Sequence, residues 1–463
     1  MNEYGKHFVA IIGGSVAGSE AARLLVDRGY RVAVFDQNML PYGKIEDGLP
    51  KWHIGLRNKE EAMIDQRMAH ESVRFIPGFT LGKDGTIEDL LNDWGFAAVI
   101  IAIGAWHDRE ISLGGISKYY DNGVIKQNDL VYWFNHKHEP GYNGPKYILT
   151  NNTAIIGGGL ASLDMVKITM IELVQQALEK KKGISVDMFT LEKKGIAAIL
   201  EQYKTNLEEL EVEPCILFYR RDAEDMPLYP RKKNTPESNA QARRVARKLL
   251  DNCQAKYLFK FAGRSVPKSI IEQDGKFAGI VFQRVDIAEG RLVERPGDTF
   301  SFATDLLISS IGSLPKETPS LPTEGNLLKT QGDLDYRVAG FDNVFAVGNV
   351  VTGRGNIHES RKHGREITDK IIEEHLQPIE DFDMISDKYA EMFRDIEGET
   401  KQIINNISAT IQGTSLSTEE QINFIYRKTR ELQKRVNYNG NYMAWAEKNR
   451  PLRLEDMLKS NGV

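Results

Sequence analysis

The sequence predicts an α/β fold: two Rossmann-like dinucleotide-binding domains, the first discontinuous in sequence, followed by a C-terminal helical extension. Three observations predict it. A glycine-rich turn follows a buried apolar run near the N-terminus, and a second such turn follows another run near residue 157. Each turn opens a helical pattern that leads to a further apolar run, the βαβ order that builds parallel sheets. Beyond residue 376 the apolar residues change to helical spacing. The expected bounds are 1–110 with 305–375 for the first domain, 111–304 for the second and 376–463 for the extension.

Composition sets limits. A chain of 463 residues exceeds one ordinary core. Its 41% hydrophobic and 27% charged residues are those of a water-soluble protein. A net charge of −5 gives no reason to expect nucleic acid. Two cysteines, Cys215 and Cys253, exclude a disulfide framework, a cysteine-ligated cluster and a CxxC redox pair. They suit a reducing compartment, and no apolar leader precedes the first strand, so a cytoplasmic location is expected. The longest apolar run, 96–103, has the length of a strand and not of a membrane span.

The first unit begins with an apolar strand over 9–12, followed by Gly13-Gly14-Ser15-Val16-Ala17-Gly18. A helix follows with Ala21, Ala22, Leu24 and Leu25 inward; Gly29 stops it, and a strand over 31–35 ends in Asp36. Such glycines let a pyrophosphate approach the helix N-terminus. Asp36, 23 residues after Gly13, is placed to accept hydrogen bonds from a ribose. Ser15 stands where the G-x-G-x-x-G pattern has its second glycine. The stretch 41–53, with Gly43, Ile45 and His53, reads as a turn-rich loop without helix or strand. Helices are expected over 58–69 and 87–94, a short strand over 73–77, and a buried strand over 97–105 containing Gly104.

An irregular crossing over 108–151, with one short helix at 127–136, leads to the second turn, Gly157-Gly158-Gly159-Leu160-Ala161-Ser162. Ser162 takes the third glycine position and a helix follows to about residue 180. The next strand, 215–219, ends in Arg220-Arg221 instead of an acid. An arginine fork pairs with a 2′-phosphate that a carboxylate would repel, so this unit reads as the NADP site. Two fingerprints need two dinucleotides, and FAD in the first with NADPH in the second lays nicotinamide against flavin. A basic helix over 240–250 carries Arg243, Arg244 and Arg247, and strands are expected over 280–287, 291–294 and 305–312. The segment 343–357, with Gly348, Asn349, Gly355 and Ile357, should return to the first domain and lead to a helix over 359–375.

In the tail, Ile385, Tyr389, Met392, Phe393, Ile396, Ile403, Ile404, Ile407 and Ile411 form a helical stripe. Ser417-Thr418-Glu419-Glu420 reads as a capping box for a further helix to about residue 436. The expectation is a helical hairpin packed on the body.

On these residues the chain resembles the adrenodoxin-reductase type of ferredoxin–NADP reductase, a family related to the glutamate synthase small subunit. The resemblance covers most of 8–364. Besides the fingerprints it rests on Pro41-Tyr42-Gly43, the loop from Gly48 to His53, the run from Gly159 to Asp164, and Tyr219-Arg220-Arg221-Asp222 with Met226-Pro227. It implies FAD and NADP as cofactors and single-electron delivery to a ferredoxin-like protein. His53 and Asp164 match a histidine and an aspartate that pair near the flavin, which implies a hydrogen-bonded pair with a stabilised imidazolium. Arg220 and Arg221 match the 2′-phosphate ligands, Gly355 and Ile357 the flavin loop, and Arg243, Arg244 and Arg247 the basic residues that dock ferredoxin. The chain departs from the family at Asn349, where a tryptophan is usual, in the acids of 44–47 and in its lengthened tail. An electron-input component of a larger oxidoreductase, docked by its tail, and a flavin-binding protein without turnover are the alternative readings.

Overall fold

The computed structural model describes residues 7–229, 235–332, 336–352 and 381–460. The first βαβ unit forms as its pattern dictates. Strand β1 (Phe8–Ile12) is buried throughout, helix α1 (Val16–Val26) follows, and β2 (Arg31–Asp36) pairs with β1 in parallel, Val9 opposite Val32. Burial on both faces is why these strands are continuous apolar runs without alternation. The loop expected to be free of helix holds one turn, α2 (Lys44–Asp47), which corrects that expectation. Its acids are fixed by partners far away in sequence, described below. Helix α3 (Ile54–Met68) starts directly after His53, four residues earlier than expected. Strand β3 (Val73–Pro77) forms as expected, the 87–94 segment is one wide helical turn at Asp89–Asp93, and β4 (Ala98–Ile101) stops before Gly104.

A short strand, β5 (His107–Asp108), carries the chain out of the first domain. The second domain is built from β6 (Val124–Lys126), α4 (Gln127–His136), β7 (Ala154–Gly157), α5 (Leu160–Lys182), α6 (Met188–Lys194), α7 (Ile196–Gln202), β8 (Ile216–Phe218), α8 (Pro236–Tyr257) and β9 (Lys260–Ala262). A three-stranded antiparallel sheet follows: β10 (Ser265–Gln273), β11 (Lys276–Ala288) and β12 (Arg291–Ala303). Sequence reading missed β10, whose Pro267 argues against a strand but sits beside a break in register.

The next strand corrects the domain assignment. β13 (Leu307–Ser310) lies between β6 and β7, so the second sheet runs β6-β13-β7-β8-β9. The second domain therefore extends past residue 304. The chain recrosses at β14 (Ser313–Leu314), which pairs antiparallel with β5. After a small hairpin of β15 (Thr323–Glu324) and β16 (Leu327–Leu328), β17 (Val344–Ala346) joins β4 and leads into α9 (Asn349–Thr352). The first sheet is thus β17-β4-β1-β2-β3.

The tail is a structural part of the first domain. Helix α10 (Asp381–Gln412) lays Phe393, Ile396, Ile403, Ile404, Ile407 and Ile411 into the core around α1. Helix α11 (Glu419–Arg435) puts Ile425 and Leu432 into the core on the other face, with Phe8, Phe35 and Phe96. Its capping box is Thr418 with Gln421, one residue beyond the expected pair. The buried Gln433 amide donates to the Phe75 carbonyl on β3, shielding the sheet's edge. Two short helices, α12 (Tyr442–Asn449) and α13 (Leu454–Ser460), end the described chain.

Candidate active site

At the first turn, glycine is required by contact. Gly13 has φ +95°, and a Cβ there would lie 2.5 Å from the Ala102 carbonyl oxygen. A Cβ on Gly18 would lie 1.8 Å from the Gly13 carbonyl oxygen, so α1 could not pack so closely on β1. Ser15 does more than replace a glycine. Its hydroxyl donates to the Tyr42 carbonyl at 2.8 Å and tethers the 41–53 loop to the fingerprint. Asp36 accepts from the Gly14 amide at 2.8 Å and the Asn38 amide at 2.9 Å. Burial pushes its carboxyl up to about 6 against the pull of those two bonds. A Cβ on Gly348 would lie 2.9 Å from that of Ala17, so the end of β17 meets the fingerprint. Space is open beside Gly104, Ile45 is buried in the core, and Asn349 begins α9. Gly355, Ile357 and the helix expected over 359–375 lie outside the described residues.

The second turn follows the same steric logic with a hydroxyl in place of the third glycine. Gly157 packs against Ser162 and the Ser310 carbonyl, while Gly158 packs under the Tyr219 ring. Ser162 donates to the Ser310 carbonyl at 3.2 Å. Gly159 faces open space, with Leu160 and Ala161 opening α5 beside it. Past the end of β8, Arg220 is exposed and Arg221 donates to the Gly290 carbonyl at 2.9 Å. A cavity of about 340 Å³ begins at the next residue, lined by Asp222, Phe261, Arg264 and Arg284 among others; Arg220 and Arg221 do not line it. Arg264 is neutralised by Asp222 at 2.7 Å and Asp286 at 3.2 Å. Arg284 lies over the Phe300 ring at 4.2 Å and donates to the Gly263 carbonyl and the Ser265 hydroxyl. On α8, Arg243 pairs with Glu224 at 3.0 Å and Arg247 with Asp251 at 2.9 Å, whereas Arg244 is exposed.

The structure brings His53 and Asp164 together but not as the expected hydrogen-bonded ion pair. His53 Nε2 lies 3.9 Å from Asp164 Oδ1, too far for a hydrogen bond. Instead the Trp52 indole N–H donates to His53 Nε2 at 3.0 Å, and His53 Nδ1 lies 2.7 Å from Ser386 Oγ. Tyr389 donates its hydroxyl to Asp164 Oδ2 at 2.7 Å. Burial holds the His53 pKa below its usual value, outweighing the attraction of Asp164, and the expected stabilised imidazolium is corrected accordingly. Lys167, wholly buried, lies 4.0 Å from Asp164 Oδ1 and 2.9 Å from Glu192. Sequence reading missed Trp52, Lys167 and Ser386. Only the indole's position beside His53 was available as a signal.

Two networks hold the His53 loop. Lys44 donates to Ser313 at 3.0 Å, and Ser313 donates to Asp108 at 3.1 Å, joining α2 to the β5–β14 crossing. Burial brings the Lys44 amine down to about 8. From the other side the tail clamps the loop. Arg453 bonds Glu46 and, at 2.8 Å, Glu61; Arg450 bonds Asp65 at 2.7 Å; Arg57 bonds Glu455. The acids of 44–47 thereby gain a reason. Glu46 answers Arg453 of the tail, and Asp47 answers His136 of α4.

Two parallel sheets each carry a glycine turn between a strand and the helix that follows it, β1 to α1 and β7 to α5, which defines a fold with two dinucleotide-type βαβ units. Residues 7–212 match the model of the family described as pyridine nucleotide-disulphide oxidoreductase. The chain is 23% identical to the NADPH glutamate synthase small chain of Azospirillum brasilense over 386 residues, covering 78% of this chain and 65% of that one. It thus spans less than two thirds of that relative's length. It is 30% identical to a probable ferredoxin/ferredoxin–NADP reductase of Mycobacterium bovis over 162 residues, 35% of this chain and 27% of that one. The fold is that of Mycobacterium tuberculosis FprA, whose structure in complex with NADPH superposes with a TM-score of 0.64 over 92% of this chain and 90% of that one, at 16% identity. Among the described residues no helix is long and apolar enough to cross a membrane, and no group of side chains is arranged to hold a metal ion.

Proposed function

We propose that this chain is an NADPH-dependent FAD oxidoreductase that passes electrons singly to a ferredoxin-like protein. The observation that carries the reading is the contrast between the two units. The second strand ends in Asp36 in one and in Arg220-Arg221 in the other. The carboxylate suits a ribose hydroxyl, and the arginines suit a 2′-phosphate. The steric cradle at Gly13, Gly14 and Gly18 fits the FAD pyrophosphate, and the open approach at Gly159 fits that of NADPH. FAD, when bound, supplies the change from a two-electron donor to a one-electron source.

The chain's own residues have distinct tasks. Ser15 and Gly43 hold the loop against the fingerprint, and Asp36 fixes the Gly14 amide. Arg220 and Arg221 select the phosphorylated nucleotide, with Arg284 adding positive charge from the cavity wall. His53 and Asp164 sit at the meeting of the two domains, within a shell that excludes water. Since Arg243 and Arg247 already have acidic partners, docking of an acidic protein falls chiefly to Arg244.

A second reading, the electron-input component of a larger oxidoreductase, is favoured by the long match to the glutamate synthase small chain. Anaerobic titration with NADPH tests the common core of both. Bleaching of the flavin absorbance is expected, and an unchanged spectrum would overturn the proposal. Replacing Arg220 and Arg221 with alanine should weaken NADPH by roughly 1.5–3 kcal/mol per lost charge-assisted bond while sparing NADH. Equal losses for both nucleotides would remove the 2′-phosphate assignment.

A further inference from the structure

We infer that the C-terminal extension is part of the site, with Ser386 and Tyr389 of α10 acting as positioning residues: Ser386 accepts the proton that Trp52 confines to His53 Nδ1, and Tyr389 holds one oxygen of Asp164. An indole N–H can only donate. His53 Nε2, 3.0 Å from the Trp52 nitrogen, is therefore an acceptor and carries no proton. The ring's proton is on Nδ1, where it is donated to Ser386 Oγ at 2.7 Å. His53 is also the residue at the N-terminus of α3, where the helix dipole disfavours an imidazolium.

Asp164 is divided between two partners in a matching way. Its Oδ2 is held by the Tyr389 hydroxyl at 2.7 Å, and the Tyr389 ring packs edge-on to His53 at 5.4 Å between centroids. Among the described residues its Oδ1 has no hydrogen-bond partner, and it lies between His53 Nε2 at 3.9 Å and Lys167 Nζ at 4.0 Å. A buried acceptor left in this condition costs free energy, so the arrangement is poised. The charged and titratable groups facing the imidazole are Asp164 and Lys167 of α5 and Tyr389 of α10, with Glu192 of α6 behind Lys167. A proton reaching Nε2 must displace the Trp52 N–H, and the new N–H then has Asp164 Oδ1 as its acceptor. Ser386 accepts from Nδ1 in both states and serves as the pivot. The extension thus supplies the acceptor for the neutral tautomer that Trp52 selects and keeps one carboxylate oxygen in reserve. Any bearing on turnover rests on the cofactor reading above, whereas the tautomer does not.

The test uses the full-length chain with ¹⁵N-labelled histidine and long-range proton–nitrogen correlation spectra, the His53 signal being identified by its loss in His53→Gln. The parent should show one neutral tautomer protonated on Nδ1. Ser386→Ala should give a mixture of tautomers and Ser386→Thr should restore one. Tyr389→Phe should raise the midpoint of the His53 titration, because Asp164 loses a donor that competes for its charge. A parent spectrum with the proton on Nε2 would overturn the inference without any variant. So would an unchanged tautomer in a folded Ser386→Ala together with an unchanged midpoint in Tyr389→Phe. The NADPH titration is a separate measurement, so failure here leaves the cofactor reading to its own result.

Discussion

His136→Gln should reveal how the 41–53 loop is fastened to the second domain. His136 closes α4, and its two nitrogens face carboxylates, Glu139 at 2.5 Å from Nδ1 and Asp47 at 3.0 Å from Nε2. Burial by itself would lower the imidazole pKa, but hydrogen bonds to Asp47 and then Glu139 outweigh it and hold the value at about 9. The folded pKa exceeds the unfolded value of 6.5, so the stabilisation is fully present below pH 6.5 and is lost as pH rises through about 9. The shift converts to roughly 3 kcal/mol at about 1.4 kcal/mol per unit. Two effects reduce it. Burial also raises Asp47, and the two carboxylates, 22% and 25% exposed, can recruit water in the variant. A net gap of about 2 kcal/mol between parent and variant is expected near pH 6, shrinking towards zero near pH 10. Urea unfolding followed by far-UV circular dichroism at both pH values reads this gap. Taking the difference cancels the opposite trends of Lys44 and Lys51, whose amines burial brings down to about 8 and about 7. A gap of equal size at both pH values would refute the argument, because it would mean that His136 acts through shape and not charge.

Arg453→Ala should cost about 3–5 kcal/mol, since it removes the cation bonded to both buried Glu46 and Glu61 and leaves Glu61 with the more distant Arg57 at 4.0 Å. Burial already pushes Glu61 up to about 8, so thermal unfolding should show a smaller deficit in acid, where the carboxyls take up protons. Ser15→Gly restores the common fingerprint glycine yet should lower stability by about 1 kcal/mol in denaturant unfolding, because the tether to Tyr42 is lost. A variant as stable as the parent would remove that role. Gly43→Ala should cost about 1–3 kcal/mol and loosen flavin retention on gel filtration, given its φ of +55° and a Cβ position 2.9 Å from Ser15 Oγ.

The glycine turns were legible because they recur at a fixed place between a strand and its helix, and part of their requirement is local: Gly18 packs on the Gly13 carbonyl and Gly158 under the Tyr219 ring of the same βαβ unit. Helix α4 and the stripe of α10 were legible for a similar reason, since periodicity belongs to one segment. What escaped depends on distant partners. The strand Leu307–Ser310 reads identically as a member of either sheet, and only its pairing with Val124–Lys126 and Ala154–Gly157 assigns it. The state of His53 depends on Ser386, 333 positions away, and that of Asp164 on Tyr389, 225 positions away. No spacing rule reaches so far. The acids of α2 looked like departures from a family pattern until Arg453 and His136 supplied their counter-charges.

The ribbon of β5 and β14 is a two-strand crossing, which on its own leaves one easy axis of rotation between the domains. Helix α10 spans that axis. Its later turns are sunk in the first domain, while Tyr389 grips Asp164 and Lys388 lies over the Tyr229 ring at 4.7 Å in the second. The helix therefore acts as a brace. A swing of one domain against the other cannot proceed far without drawing the phenol from the carboxylate, so mechanical opening and the electrostatics of the His53 pocket form a single coordinate.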